Sequence, residues 1–255
     1  MSVNPSILNK IDTSHEEVNK VAVIVGNNST SSSYFAPLKY AESDAYEIAD
    51  VLKQPACNFG LLYPPLVGER ADSASVRRAV TKLAQRKSDQ DFLLFYFSGH
   101  AMPINVGARR TDVYLVTHNF SPEEVNTDPD AHVSMSWLRK ILFERTEAGR
   151  VLIILDCSYA GHIALAETNT QQIDMRELVE DAFDTPSERR TKDSSRVILA
   201  VSGATAKAME KEGHGLLTGS MLPVLAGKVG EALDINGRVD VLSLYQYLSQ
   251  KLSQQ

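Results

Sequence analysis

Two stretches of the chain are apolar without alternation. Val151-Leu152-Ile153-Ile154-Leu155 runs into Asp156-Cys157-Ser158-Tyr159-Ala160-Gly161, and Phe92-Leu93-Leu94-Phe95-Tyr96-Phe97 runs into Ser98-Gly99-His100. Continuous apolar runs of this length suit strands buried on both faces of a parallel sheet. Val21 to Val25 and Arg196 to Ser202 read the same way. Between them the period changes to that of helices. Leu38, Ala41, Ala45, Ile48, Ala49 and Leu52 recur at helical spacing. Asp72 or Ser73 caps a helix through Arg86, Ser134 caps one through Arg145, and further helices span about Thr218 to Ala226 and the end of 239–251, after a short strand. Phe59 to Val67, broken by Pro64 and Pro65, fits only a short or edge strand. Asp112 to Thr117 reads as a strand, and 119–133 as an exposed loop. Strands alternating with helices predict an α/β domain with a mostly parallel sheet.

The rest of the chain is polar. Residues 1–20 form an N-terminal arm without the apolar core of a signal peptide. From Glu167 to Arg196 the chain is charged and almost free of strand signals, although Ile173 to Phe183 fits an amphipathic helix. The loop Gly26 to Ser33 lacks the glycine spacing and lysine of a phosphate-binding loop and reads as an ordinary connection.

Composition narrows the classes. A chain of 255 residues, 43% hydrophobic, can bury a large core. A net charge of −6 without a basic stretch argues against nucleic-acid binding. Two cysteines, Cys57 and Cys157, make neither a disulfide framework nor a zinc site and fit a reducing cytoplasm. No apolar run approaches the roughly 20 residues of a membrane helix.

Reactive groups of parallel sheets gather at the carboxyl ends of the strands. There the two principal strands carry His100 and the Asp156-Cys157-Ser158 group, which places a base beside a nucleophile. His118, His132 and His162 lack such a context and are expected at the surface, His162 within reach of a substrate.

Ser98-Gly99-His100 after an aromatic strand, and Asp156 to Gly161 after an aliphatic one, resemble the metacaspases and prokaryotic caspase-like proteases (orthocaspases). The resemblance covers roughly Val21 to Leu252 and includes the His-Gly-Leu-Leu-Thr run at His214 to Thr218. It implies a caspase-like three-layer α/β/α sandwich over 21–255, with a large part 21–165, a linker 166–195 and a small part 196–255. It also implies a cytoplasmic cysteine endopeptidase in which His100 is general base and then acid, and in which the backbone amides of Ala101 and Ser158 hold the oxyanion. The family has glycine where Ala101 stands, and the alanine Cβ is expected to restrict that hole. Asp44, Ser98 and Asp156 match the family's pocket for the substrate residue before the scissile bond. Two carboxylates there imply selection of Arg or Lys in a protein or peptide substrate. His214 reads as structural.

The nucleophile position departs from the family: counting from Asp156 it holds Ser158, with Cys157 one residue before. Successive side chains of an extended segment face opposite ways, so Cys157 does not stand in for its neighbour. Three readings of Ser158 stand side by side. It replaces a natural cysteine and silences the enzyme, which is the reading favoured by the other features. Alternatively the chain is a natural non-catalytic caspase-fold module that binds or regulates, or Ser158 is itself a serine nucleophile.

Many metacaspases hold calcium through an Asp pair before the third helix. Here that stretch is Val133-Ser134-Met135-Ser136-Trp137, so no metal and no cofactor are expected. In the family the linker is often self-cleaved, for which Arg176, Arg189, Arg190, Lys192 and Arg196 offer basic points. An activating or sensor protein is the other partner implied, and oligomeric state stays open.

Overall fold

The structure is a computed structural model that describes residues 19–31, 33–105, 111–159, 195–200, 210–233, 239 and 241–252. The readings made of the N-terminal arm, of the possible helix at 173–183, of His162 and of the cleavage points Arg176, Arg189, Arg190 and Lys192 lie outside the described residues.

The apolar runs form one sheet. Strand β1 (Lys20–Gly26) is flanked by β4 (Phe92–Asn105), then β6 (Arg150–Tyr159) and β7 (Ser195–Ala200), all parallel. On the other side of β1 lie two short parallel strands, β2 (Gly60–Leu61) and β3 (Leu66–Val67), separated by the Pro64-Pro65 break. β5 (Thr111–Val116) returns antiparallel along the end of β4. Because β7 pairs with β6, the segments on either side of the polar 167–196 stretch share one sheet.

Alternation along each strand feeds two apolar layers. Val21, Val23, Val25, Leu93, Phe95, Phe97, Val151, Ile153 and Leu155 face helix α2 (Ser73–Ala84) and the short α4 (Met135–Arg139). Ala22, Ile24, Leu94, Tyr96, Leu152 and Ile154 face α1 (Ala41–Lys53), α5 (Leu216–Leu225) and α6 (Val241–Leu252). The result is helices on both faces of a mostly parallel sheet, as the pattern predicts. Gly26 allows the close approach of α1: a Cβ there would sit 2.2 Å from the carbonyl oxygen of Ala41.

Several elements differ from expectation for local reasons. α1 begins at Ala41 rather than Leu38, where Asn28 accepts from the Glu42 amide and Glu42 accepts from the Asn28 amide. Asp72 caps α2 by accepting from Ser75. The helix after Ser134 turns into a π-helical segment at Lys140 and ends at Glu144. Residues 119–133 are not a plain exposed loop: they hold α3 (Pro122–Thr127), capped by Ser121, and bury Val125, His132 and Val133. His132 is therefore 2% exposed rather than on the surface, packed edge-on to Phe120, and His118 is half-buried. The expected strand in 239–251 is replaced by helix α6, which starts at Val241. Arg196 belongs to β7 and donates to the carbonyls of Gly149 and Ala148.

Candidate active site

The strands beside the site run further than the sequence predicts. No turn precedes His100: β4 continues straight through Gly99, His100 and Ala101 because β5 supplies a pairing partner, with His100 opposite Val116 and Ala101 opposite Leu115. β6 likewise extends to Tyr159. The parallel register then sets Ser98 opposite Asp156, Gly99 opposite Cys157 and His100 opposite Ser158. Neighbouring strands lie about 4.8 Å apart and in-register positions share a face. His100 and position 158 are thus side by side at the carboxyl end of the sheet.

Cys157 follows the opposite alternation. It packs against the layer that contains Phe97 and Leu155, and burial, helped by the charge of Asp156, pushes its thiol well above the usual range. A half-buried thiol held protonated is a weak nucleophile.

His100 is 8% exposed and held by the loop after β1. Phe35 stacks on its ring, with centroids 5.8 Å apart and planes 26° apart, and Nε2 lies 2.9 Å from the carbonyl oxygen of Ala36. A carbonyl only accepts, so in the neutral ring Nε2 carries the proton and Nδ1 does not. Ala36 escaped the sequence reading because it acts through its backbone, and no residue type signals that. Ala101 has ordinary strand geometry, since the only non-glycine residues with positive φ among those described are Asn58 and Glu212. The Ala101 Cβ joins the apolar layer.

The pocket residues converge. Asp44, on the first turn of α1, is fully buried, and Ser98 is 3% exposed. A Cβ on Gly215 would lie 2.5 Å from Oδ2 of Asp156 and 3.1 Å from Oδ2 of Asp44, so both carboxylates approach one point. Each already has donors. Asp156 accepts from the amides of Leu217 (3.4 Å) and Thr218 (2.8 Å) and from the Thr218 hydroxyl (2.6 Å). It thereby caps α5, whose own N-cap, Gly215, offers no side chain. All three donors to Asp156 come from the far side of the linker. Because Thr218 donates to Asp156, the buried Tyr96 hydroxyl, 2.6 Å from Thr218 Oγ1, donates to Thr218.

Asp44 accepts from the Gly215 amide (2.8 Å) and from Nδ1 of His214 (2.7 Å). Burial raises it to about 6, against the pull of the Gly215 amide and His214, while the charge of Asp156 raises it further. Burial also raises Asp156, opposed by its three donors. His214 and Gly215 form β9 (His214–Gly215), which pairs with β8 (Glu210–Lys211) in a hairpin where the sequence predicts a loop. Glu210 fastens the hairpin to the start of α1 by accepting from the amides of Lys39 and Tyr40, both at 2.7 Å. Among the described residues no group of three or more His, Cys, Asp or Glu side chains is arranged to hold a metal, and no helix is long and apolar enough to cross a membrane.

A histidine held by the Ala36 carbonyl, position 158 in register with it, and two carboxylates beside them all lie at the carboxyl end of a mostly parallel sheet flanked by helices, the arrangement of a caspase-like α/β fold. The caspase-domain family model matches residues 19–255, and the chain belongs to that family of cysteine peptidases. Protein GSU0716 from Geobacter sulfurreducens is similar in structure, with a TM-score of 0.58 at 18% identity over 91% of this chain and 89% of that one. Pro-sf-caspase-1 is more distant, with a TM-score of 0.48 at 10% identity over 92% and 81% of the two chains. A comparison with curated proteins finds none that matches.

Proposed function

We propose that this chain has the site of a caspase-like endopeptidase of metacaspase type that cuts after Arg or Lys, with Ser158 standing where the working enzyme carries cysteine. The observation that carries the reading is the register of His100 with position 158, together with the Ala36 carbonyl on Nε2. In the reaction, Nδ1 of His100 takes the proton of the nucleophile as it attacks the scissile carbonyl, and returns it to the leaving amine. The Ala36 carbonyl stabilises the imidazolium formed in between. The amides of Ala101 and residue 158 receive the oxyanion. Asp44, with the charge of Asp156 and the Ser98 hydroxyl nearby, draws the substrate's basic side chain. A hydroxyl ionises far less readily than a thiol of pKa about 8.5, so Ser158 leaves the site silent.

The experiment is cleavage of fluorogenic peptides ending in Arg, Lys or Asp by this chain and by Ser158→Cys. Cutting by the variant alone, and only after Arg or Lys, is the expected result. Silence of both overturns the enzyme reading in favour of a caspase-fold binding or regulatory module. Cutting by the unaltered chain, blocked by a serine-directed phosphonate, makes Ser158 a serine nucleophile.

A further inference from the structure

His214 approaches two carboxylates on opposite sides of its ring. Nδ1 lies 2.7 Å from Oδ1 of the buried Asp44, and Nε2 lies 3.9 Å from Oε2 of Glu47, one turn further along α1 and half exposed. One ring nitrogen is hydrogen-bonded to Asp44 and the other lies near Glu47 beyond hydrogen-bond distance, so the ring fills the space between the two carboxylates where a cation would sit. The side chain is itself 26% exposed, so it can rotate outward without moving the strand that carries it. That strand is pinned independently, by the Gly215 amide on Asp44 and by Glu210 on the amides of Lys39 and Tyr40. Gly219 on α5 leaves room for the ring's present position, since a Cβ there would come 3.1 Å from the Cβ of His214.

We infer that His214 is an internal occupant of the acidic pocket, seated between Asp44 and Glu47 where the guanidinium of a substrate arginine binds, and that a substrate enters by displacing it. The inference rests on the assignment of Asp44 to the substrate pocket. It makes His214 a specificity-determining residue. A neutral or acidic side chain cannot replace the imidazole on Asp44, and a lysine ammonium, a compact point charge, engages Asp44 without spanning to Glu47. Arginine is therefore preferred over lysine. A molecule in which the imidazole is seated does not bind, so the apparent affinity is lowered by the fraction of open pockets.

The test needs no catalysis and uses the full chain as it stands. Isothermal titration with N-acetyl-argininamide, with N-acetyl-norleucinamide as neutral control, is compared for the wild type, His214→Ala, His214→Arg and Asp44→Asn. His214→Ala should bind the arginine probe about tenfold more tightly, by vacating the seat, and His214→Arg should bind it more weakly, by filling the seat with a stronger cation. Asp44→Asn should lose binding. A purely supporting role for His214 predicts weaker binding in both His214 variants. If His214→Ala is unchanged or weaker while Asp44→Asn loses binding, His214 is not an occupant and the pocket assignment stands. If Asp44→Asn binds like the wild type, the pocket assignment falls and the inference with it.

Discussion

Burial of Asp44 has a thermodynamic consequence. Its carboxyl rises from 3.8 to about 6 on folding, chiefly through desolvation. A raised folded value means that the native state binds more protons than the unfolded chain between the two values, so stability is lost as pH rises through that window. A shift of about two units at about 1.36 kcal/mol each amounts to about 3 kcal/mol. Asp44→Asn removes the titration while keeping one acceptor oxygen. Asparagine cannot accept from both the Gly215 amide and His214, so the variant carries an added cost of about 1 to 3 kcal/mol for the donor left over, which offsets the whole curve. The pH slope isolates the charge. Guanidinium denaturation of both chains at intervals from about pH 4 to about pH 7.5 spans the window. The wild type should lose about 2 kcal/mol relative to the variant over that range, since part of the shift is already expressed at pH 4. A difference that stays flat across it would refute the reasoning, and a difference that grows in the wild type's favour would reverse the sign.

Further outcomes follow from the neighbouring contacts. Thr218→Val removes a donor to Asp156 and the acceptor of the Tyr96 hydroxyl, and should cost about 2 to 4 kcal/mol in a denaturation experiment; Thr218→Ser should recover most of it, and a cost near zero would sever the Tyr96-Thr218-Asp156 chain. Cys157 should react with iodoacetamide at neutral pH at least about tenfold more slowly than the thiol introduced by Ser158→Cys, because its own thiol is half-buried and raised. Equal rates would show that the alternation along β6 does not separate the two positions.

Much of the architecture is legible in the chain alone. Runs such as Val151 to Leu155 are apolar at every position, which only a strand covered on both faces requires, and the period-two geometry of a strand is enough to separate Cys157 from Ser158. Local chemistry also marks the starts of helices, as Asp72 does for α2 and Ser134 for α4. Tertiary structure decided what depends on partners distant in sequence. β4 runs through His100 because β6 and β5 pair with it on either side, and Ser98-Gly99-His100 gives no hint of those partners. His132 is buried because α3 and Phe120 fold over it. His100 is oriented by the carbonyl of Ala36, a backbone atom that every residue possesses and no sequence pattern can flag. Asp44 meets His214, and Asp156 meets the amides of α5, across long separations bridged by the sheet. Sequence periodicity determines which faces are apolar, because burial is a property of each residue; pairing between charges is a property of two, and it exists only once the fold has brought both to the same place.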